Sequence, residues 1–358
     1  MKFRVWLIPL LLALGLAGIL PGAWVKIGLL ASPASGQPKT IYLPLVEGGS
    51  GVVGVSPTST PTLAPTATSL PAATATATPG ISITPTPTSS GGGSDPVLIG
   101  AGDIAMCGRP GSAQTAAILA QNPGTVFALG DNAYDSGTPL EYTTCYDPVW
   151  GIFKNHTYPV PGNHDYLTLN ASGYFGYFGA AAGNPLQGWY SFDLGAWHIL
   201  AINSNCLFVG GCNTNSPQER WVRADLAAHP AKCTLAMWHH PYYSSGQNGD
   251  TTQMAAIWQD LYNAGAELVL SGHDHDYERF APQDASANLD TARGIVQFVV
   301  GVGGSDFTPI LYPLQPNSLT QLQNTFGVLK LTLHPSSYSW AFLPVSGSYS
   351  DSGTANCH

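Results

Sequence analysis

"LVLSGHDHDYERF", residues 268–280, decides how this chain folds. A short aliphatic run ends at a Ser-Gly turn, and two histidines, two aspartates, a tyrosine, a glutamate and an arginine follow at once. A brief apolar run bounded by turn residues reads as a strand buried on both faces. Strands of that kind build parallel sheets, which gather polar ligands at their carboxyl ends. The same pattern occurs four times upstream. "PVLIGAGDIA" gives a strand over 97–101 ending at Asp103, and "TVFALGDNAY" one over 125–129 ending at Asp131. "TYPVPGNHDY" gives a short strand ending at Asn163, and "CTLAMWHHPYY" one over 234–238 ending at His239. Helical stretches at 112–121, 217–228 and 251–264 alternate with them, which implies βαβ units with the five polar bursts on one edge. Beyond Arg293, "GIVQFVVGVGG", "GVLKLTLH" and "SYSWAFLPV" read as further strands, expected to form a second, largely antiparallel sheet packed on the first.

Composition divides the 358 residues into three parts. Residues 1–35 carry Lys2 and Arg4, an apolar run from Val5 to Leu20 and small residues at 31–35, the shape of a signal peptide or N-terminal anchor. Pro9, Pro21 and Lys26 argue against one continuous spanning helix. Residues 36–95 are a Thr/Pro/Ser-rich linker, uncharged from Gly48 to Ser94, too poor in apolar surface to offset the entropy of folding. Residues 96–358 are the expected catalytic domain. The chain is thus expected to be secreted or extracytoplasmic, with attachment to the membrane or cell envelope through the N-terminus as a variant of that reading. All six cysteines fall in the last part, and an even count behind an export signal suggests disulfides. Six cysteines allow 15 pairings; the favoured set is Cys206–Cys212, Cys107–Cys145 and Cys233–Cys357. The formal charge of −9 argues against a nucleic-acid partner. An anionic substrate would need a metal where Lys and Arg are scarce.

The bursts together offer Asp103, Asp131, Tyr134, Asn163, His164, His239, His273 and His275. Imidazoles, carboxylates, an amide oxygen and a phenol suit a pair of intermediate cations better than a single zinc. Two such cations bridged by a carboxylate form a clamp for in-line displacement at phosphorus.

Taken as a set, "GDIA", "GDNAY", "GNHD", "HHPYY" and "GHDHDYER" resemble the calcineurin-like metallophosphoesterases, and within them the purple acid phosphatase branch, in a secreted bacterial form. The resemblance spans Gly102 to Arg279. It implies an α/β fold of two packed mixed β-sheets flanked by helices, a four-layer sandwich. It places one metal on Asp103, Asp131, Tyr134 and His275, and a second on Asp131, Asn163, His239 and His273, with Asp131 as the bridge. Ala105 stands where many relatives in the wider superfamily have a histidine; Tyr134, three residues after Asp131, replaces that ligand. A phenol ionises only beside a strong Lewis acid, which favours Fe(III) at the first position with Fe(II), Zn or Mn at the second. The implied reaction is hydrolysis of a small phosphomonoester by a metal-activated hydroxide.

Within that pattern His164 is the expected catalytic acid or transition-state donor, oriented by Asp165. His239 and His240 are strand neighbours that face opposite ways, and the family's spacing to Pro241 and Tyr243 implies that His239 is the ligand. His240 then lines the substrate pocket with Asn163 and His164. Asn248, nine residues past His239, occupies a place where related phosphatases often carry a histidine, and is expected to contact phosphate as an amide. His156 and His198 are assigned structural roles, and Glu278 and Arg279 a structural pairing beneath the site. Two alternatives stand beside this reading: a diesterase or nucleotidase using the same centre, and a non-catalytic binding protein on a stalk. The loops at 244–250 and 170–188 are the expected discriminators among substrates.

Overall fold

A computed structural model describes residues 95–358. The expected leader (1–35), nearly all of the linker (36–95) and the "KTIYLPLV" run within it lie outside the described residues.

The short apolar runs form strands close to where the sequence puts them. They are β1 (Val97–Ala101), β2 (Ala105–Met106), β3 (Thr125–Leu129), β4 (Ala133–Tyr134), β5 (Thr157–Val160), β6 (Tyr190–Leu194), β7 (Trp197–Ala201), β8 (Cys233–Met237) and β9 (Leu268–Ser271). The carboxyl-terminal part adds β10 (Tyr277–Phe280), β11 (Val296–Val300), β12 (Ser318–Leu322), β13 (Gly327–His334), β14 (Ser337–Pro344) and β15 (Ser352–Asn356). Helices are α1 (Gly111–Gln121), the single turn α2 (Pro139–Glu141), α3 (Ser172–Phe178), α4 (Pro217–Ala228) and α5 (Ala255–Asn263). α4 starts where Ser216 caps the Glu219 N–H and Pro217 supplies a preset φ.

Two large sheets result, in the order β15-β14-β13-β1-β3-β5 and β12-β10-β11-β9-β8-β7-β6. Both are mixed. β1, β3 and β5 run parallel, while β13 joins β1 antiparallel. In the other sheet β7, β8, β9 and β11 are parallel, with antiparallel β6 and β10 beside them. The sequence reading placed the five polar bursts on one parallel sheet and the late strands on a second, antiparallel one. Both expectations are corrected. β1, β3 and β5 belong to one sheet and β8 and β9 to the other; β11 lies parallel beside β9, while β13 and β14 extend the first sheet. The pairing of β11 with β9 joins residues far apart in the chain, and no local pattern announces it.

Alternation along the strands builds the layers. Ile199, Leu235, Met237, Leu268, Leu270 and Phe298 join Leu98, Phe127, Leu129 and Leu331 in one buried cluster between the sheets. Their neighbours Leu200, Ala236, Trp238, Val269 and Val299 face the other way, onto Val222 of α4 and Ile257, Trp258 and Leu261 of α5. Each fully buried large aliphatic or aromatic side chain contributes about 1.5–3 kcal/mol. α1 lies against β13, giving helix, sheet, sheet, helix. Disulfides join Cys107 to Cys145, Cys206 to Cys212 and Cys233 to Cys357, the three favoured pairs.

Candidate metal centre

The alternation that fills the core also aims the site. Met237 faces the inter-sheet layer and Trp238 the outer one; the next residue, His239, returns inward and is fully buried, and His240 is only half-buried. The loops after β1 and β3 lie side by side, with Asp103 N–H donating to Gly130 O (3.0 Å) and Ile104 N–H to Asp131 O (3.0 Å). Asp103, Asp131 and His273 all adopt left-handed backbone, with φ of 59°, 48° and 71°. Non-glycine residues rarely do so, and such strain concentrates at functional sites. Two glycines make room. A Cβ on Gly162 would stand 2.0 Å from Asp131 Oδ1, and one on Gly272 would stand 2.6 Å from Asp103 Oδ2.

Two groups of donor atoms share one carboxylate. Tyr134 OH lies 2.8 Å from Asp103 Oδ1, 3.2 Å from Asp131 Oδ2 and 3.1 Å from His275 Nε2. His275 Nε2 is 3.2 Å from Asp103 Oδ1. On the other side His239 Nε2 is 3.3 Å from the same Asp131 Oδ2 and 3.0 Å from Asn163 Oδ1. The His273 ring lies 5.0 Å from that of His239 and 4.4 Å from that of His240. The structure therefore gathers Asp103, Asp131, Tyr134, Asn163, His239, His273 and His275, with Asp131 central.

Whether these residues fit a pair of cations turns on their hydrogens. His239 Nδ1 lies 2.7 Å from Leu129 O, a group that can only accept. His275 Nδ1 lies 2.5 Å from Asp306 Oδ1. Both rings thus carry a proton on Nδ1 and turn Nε2 toward carboxylate oxygens, the arrangement of metal-ligating histidines. A lone pair facing a carboxylate repels it unless positive charge lies between them. Without a cation the only source is a second proton on each ring. Burial disfavours that proton, but Asp131 beside His239 raises its pKa to about 9, and Asp103 beside His275 raises that one to about 10. Burial pushes Asp131 up, and His239 with its neighbours more than reverses it, leaving the carboxylate well below its usual range. Tyr134 has one proton and three close partners. Burial and the two aspartates push its pKa far up, so only strong local positive charge would ionise it. Donor atoms about 3 Å apart are the edges expected around a cation with bonds near 2.1 Å. The residues fit.

Several sequence assignments change. Asp165 does not orient His164. Its buried carboxylate turns inward and accepts from Asn132 Nδ2 (3.2 Å), Gly162 N–H (2.9 Å) and Tyr142 OH (2.6 Å), so it fastens the loop and is not catalytic. Burial and nearby Asp131 raise its pKa to about 6. His164 is oriented by the backbone instead, its Nδ1 2.6 Å from Asp135 O. Its Nε2 then faces the centre, 3.9 Å from Asp131 Oδ2. Asn248 donates its side-chain N–H to His273 O (3.0 Å) and its backbone N–H to Asp274 (2.8 Å), so it braces the ligand loop rather than reaching into the opening. His240 bonds Ser204 through Nδ1 (2.8 Å) and lines a pocket with Asn163. Burial and the adjacent His239 lower its pKa to about 3. Glu278 and Arg279 do not pair with each other. Arg279 makes two 2.8 Å bonds to Asp351, and Glu278 accepts from Ser245 and Ser318.

Sequence reading passed over Asp306, Ser204 and Asn205. The signal existed: "AINSNC" and "GVGGSDF" are polar bursts at the ends of β7 and β11, the same pattern read elsewhere.

Residues 101–277 match the family model for calcineurin-like phosphoesterases. The chain carries a calcineurin-like phosphoesterase domain. Curated relatives point to one branch of that family. The chain is 28% identical over 226 residues to purple acid phosphatase 15 of Arabidopsis thaliana, covering 52% of this chain and 41% of the relative. It is 32% identical over 184 residues to acid phosphatase type 7 of Homo sapiens, covering 44% and 41%. The chain thus spans under half the length of these relatives. Among solved structures, a purple acid phosphatase from yellow lupin seeds superposes with a TM-score of 0.63 at 18% identity, over 74% of this chain and 54% of that one. GAP50, described as the anchor in the inner membrane complex of Plasmodium, superposes at 0.57 and 15%, over 74% and 90%. At such identities both show the fold alone, and a fold by itself does not decide activity.

Proposed function

We propose that this chain is a binuclear metal-dependent phosphatase that hydrolyses small phosphomonoesters outside the cytoplasm. One observation carries the reading: a single oxygen of Asp131 serves two donor groups, Tyr134 with Asp103 and His275 on one side, His239 with Asn163 on the other. Asp103, Asp131, Tyr134 and His275 would hold one cation; Asp131, Asn163, His239 and His273 the other. When bound, such a pair would polarise phosphoryl oxygens and acidify water for in-line attack. The phenol of Tyr134 favours iron(III) at the first position, with iron(II), zinc or manganese at the second.

The chain's own residues then divide the remaining work. Asp306 and Leu129 O lock His275 and His239 in the ligating tautomer. Asn163 presents its amide oxygen to the centre, next in the chain to the half-buried His164. His164 Nδ1 is spent on Asp135 O, so Nε2 is the atom that accepts or delivers a proton. Three disulfides support an oxidising compartment. Among the described residues no helix is long and apolar enough to cross a membrane.

The test is elemental analysis and a visible spectrum of purified protein, with orthophosphate release measured before and after chelation and metal return. About two metals per chain, a colour lost in Tyr134→Phe and activity that follows the metal are expected. Protein that binds metal in neither position and releases no phosphate would support the stalked binding protein instead.

A further inference from the structure

Beside the metal centre lies the opening lined by Asn163 and His240, to which the resemblance gives no particular part of the substrate. A pocket of about 200 Å³ is lined by Asn163, Ser204, Leu207, Phe208, His240 and Gln253, among others. No lysine, arginine, aspartate or glutamate lines it. Its floor is shared with the centre, because Asn163 Oδ1 is 3.0 Å from His239 Nε2.

One wall is built with care. Cys206–Phe208 forms a tight turn, closed by the Cys206–Cys212 disulfide and by Gly211 N–H donating to Cys206 O (2.8 Å). Gly211, at φ 103°, allows the chain to return over so short a span. The turn raises Leu207 and Phe208 into solvent, 90% and 59% exposed. Phe208 is nevertheless fixed: its ring stacks on Tyr166 at 4.4 Å and 18°, and Asn203 Nδ2 donates to the Tyr166 hydroxyl (2.8 Å). Large apolar side chains held open beside a polar centre are the mark of a ligand-binding wall.

We propose that this pocket is the leaving-group subsite and that it takes a neutral, ring-bearing alcohol. The inference rests on the phosphatase reading above. The phosphoryl group would lie toward Asn163, and its ester substituent would extend between the Leu207–Phe208 wall and Gln253. A cavity of about 150 Å³ suffices for a benzene ring, so this volume suits one ring and little more. A polyphosphorylated substrate would find no cation here for its further charges.

Benzyl phosphate and ethyl phosphate test this, since their alcohols differ little in acidity and the chemical step is nearly matched. For the metal-replete full chain, kcat/KM is expected to favour benzyl phosphate about ten-fold or more. Phe208→Ala should bring that ratio to within about three-fold, and Phe208→Tyr should keep it. Metal content and melting temperature check that each variant is folded. The non-hydrolysable benzyl- and ethylphosphonates, titrated calorimetrically, should show the same preference in Kd. A parent ratio near one, a ratio unmoved by Phe208→Ala, or faster turnover of a polyphosphorylated polyol would overturn the subsite while leaving the phosphatase intact. If neither ester is hydrolysed, the phosphatase reading fails, and the phosphonate titration still decides the pocket: equal affinities sink it.

Discussion

Two clusters of histidine and aspartate draw on the seven-stranded sheet, one at its seam with the other sheet and one at the far end of β7, and only the first has the makings of a metal centre. At the carboxyl ends, His239 and His275 each have Nδ1 committed to an acceptor and Nε2 facing carboxylates. At the amino end of β7, His198 sits between Asp193 and Asp225, 2.8 Å from each through its two nitrogens. His229 stacks on it at 4.9 Å and lies 3.3 Å from Asp225. The second cluster is closed: each ring nitrogen of His198 already faces an aspartate oxygen at 2.8 Å. The first is open, with lone pairs turned inward and a phenol that cannot serve three partners at once. Distances alone do not separate the two; the single phenolic proton of Tyr134 among three close partners does.

The hardest way to break this contrast is Asp131→Ala. Losing the shared carboxylate should cost about 4 kcal/mol of transition-state stabilisation, roughly a thousand-fold in kcat/KM, with metal content falling in elemental analysis. A thousand-fold loss with metal fully retained would refute the bridge. Asp306→Asn comes next. It weakens the acceptor that fixes the His275 tautomer and should lower metal affinity about 10–100-fold, read by competition with a chelator. The closed cluster should respond in the opposite manner. His198→Ala removes one partner of the buried Asp225, which keeps Ser191 and His229 beside it, and should cost about 2 kcal/mol in denaturant unfolding, with phosphatase activity of the folded protein within about two-fold of the parent.

How far the sequence alone reveals this contrast depends on range. Short apolar runs ending in Gly-Asp, Gly-Asn or His-His mark β1, β3, β5 and β8 because strand burial and turn chemistry are local. Ser216 and Pro217 likewise mark the start of α4. The candidate donors follow, since nearly all of them stand just past a strand end. Long-range partners do not: nothing near Asp165 says that its carboxylate meets Tyr142, and nothing near β11 says which sheet it joins. His198 reads as structural from its apolar neighbours, while the two aspartates that meet it are invisible in the sequence. The Leu207–Phe208 wall was missed because exposed apolar residues in a short loop carry no period.

The smallest expected effect concerns a buried acid in neither cluster. Glu267 is 2% exposed, and Glu267 Oε1 accepts from His358 N–H (3.1 Å). Burial, only partly offset by that bond and by Lys232, pushes its pKa from 4.5 up to about 8. The folded state therefore holds a proton that the unfolded chain has lost. The stability this adds is complete below about pH 4.5 and fades as pH rises toward 8. In thermal melts Glu267→Gln should flatten that decline and gain about 1–2 kcal/mol on the parent near pH 9.

Asp103 and Asp131 extend from the six-stranded sheet, with Tyr134 on the short β4 just beyond it, and His239, His273 and His275 from the seven-stranded one. An ion gripped by both groups would rivet the sandwich along its seam, lending the fold some of its own binding energy. Chelated protein should then part first along that line, exposing protease sites at the rim long before the outer helices loosen.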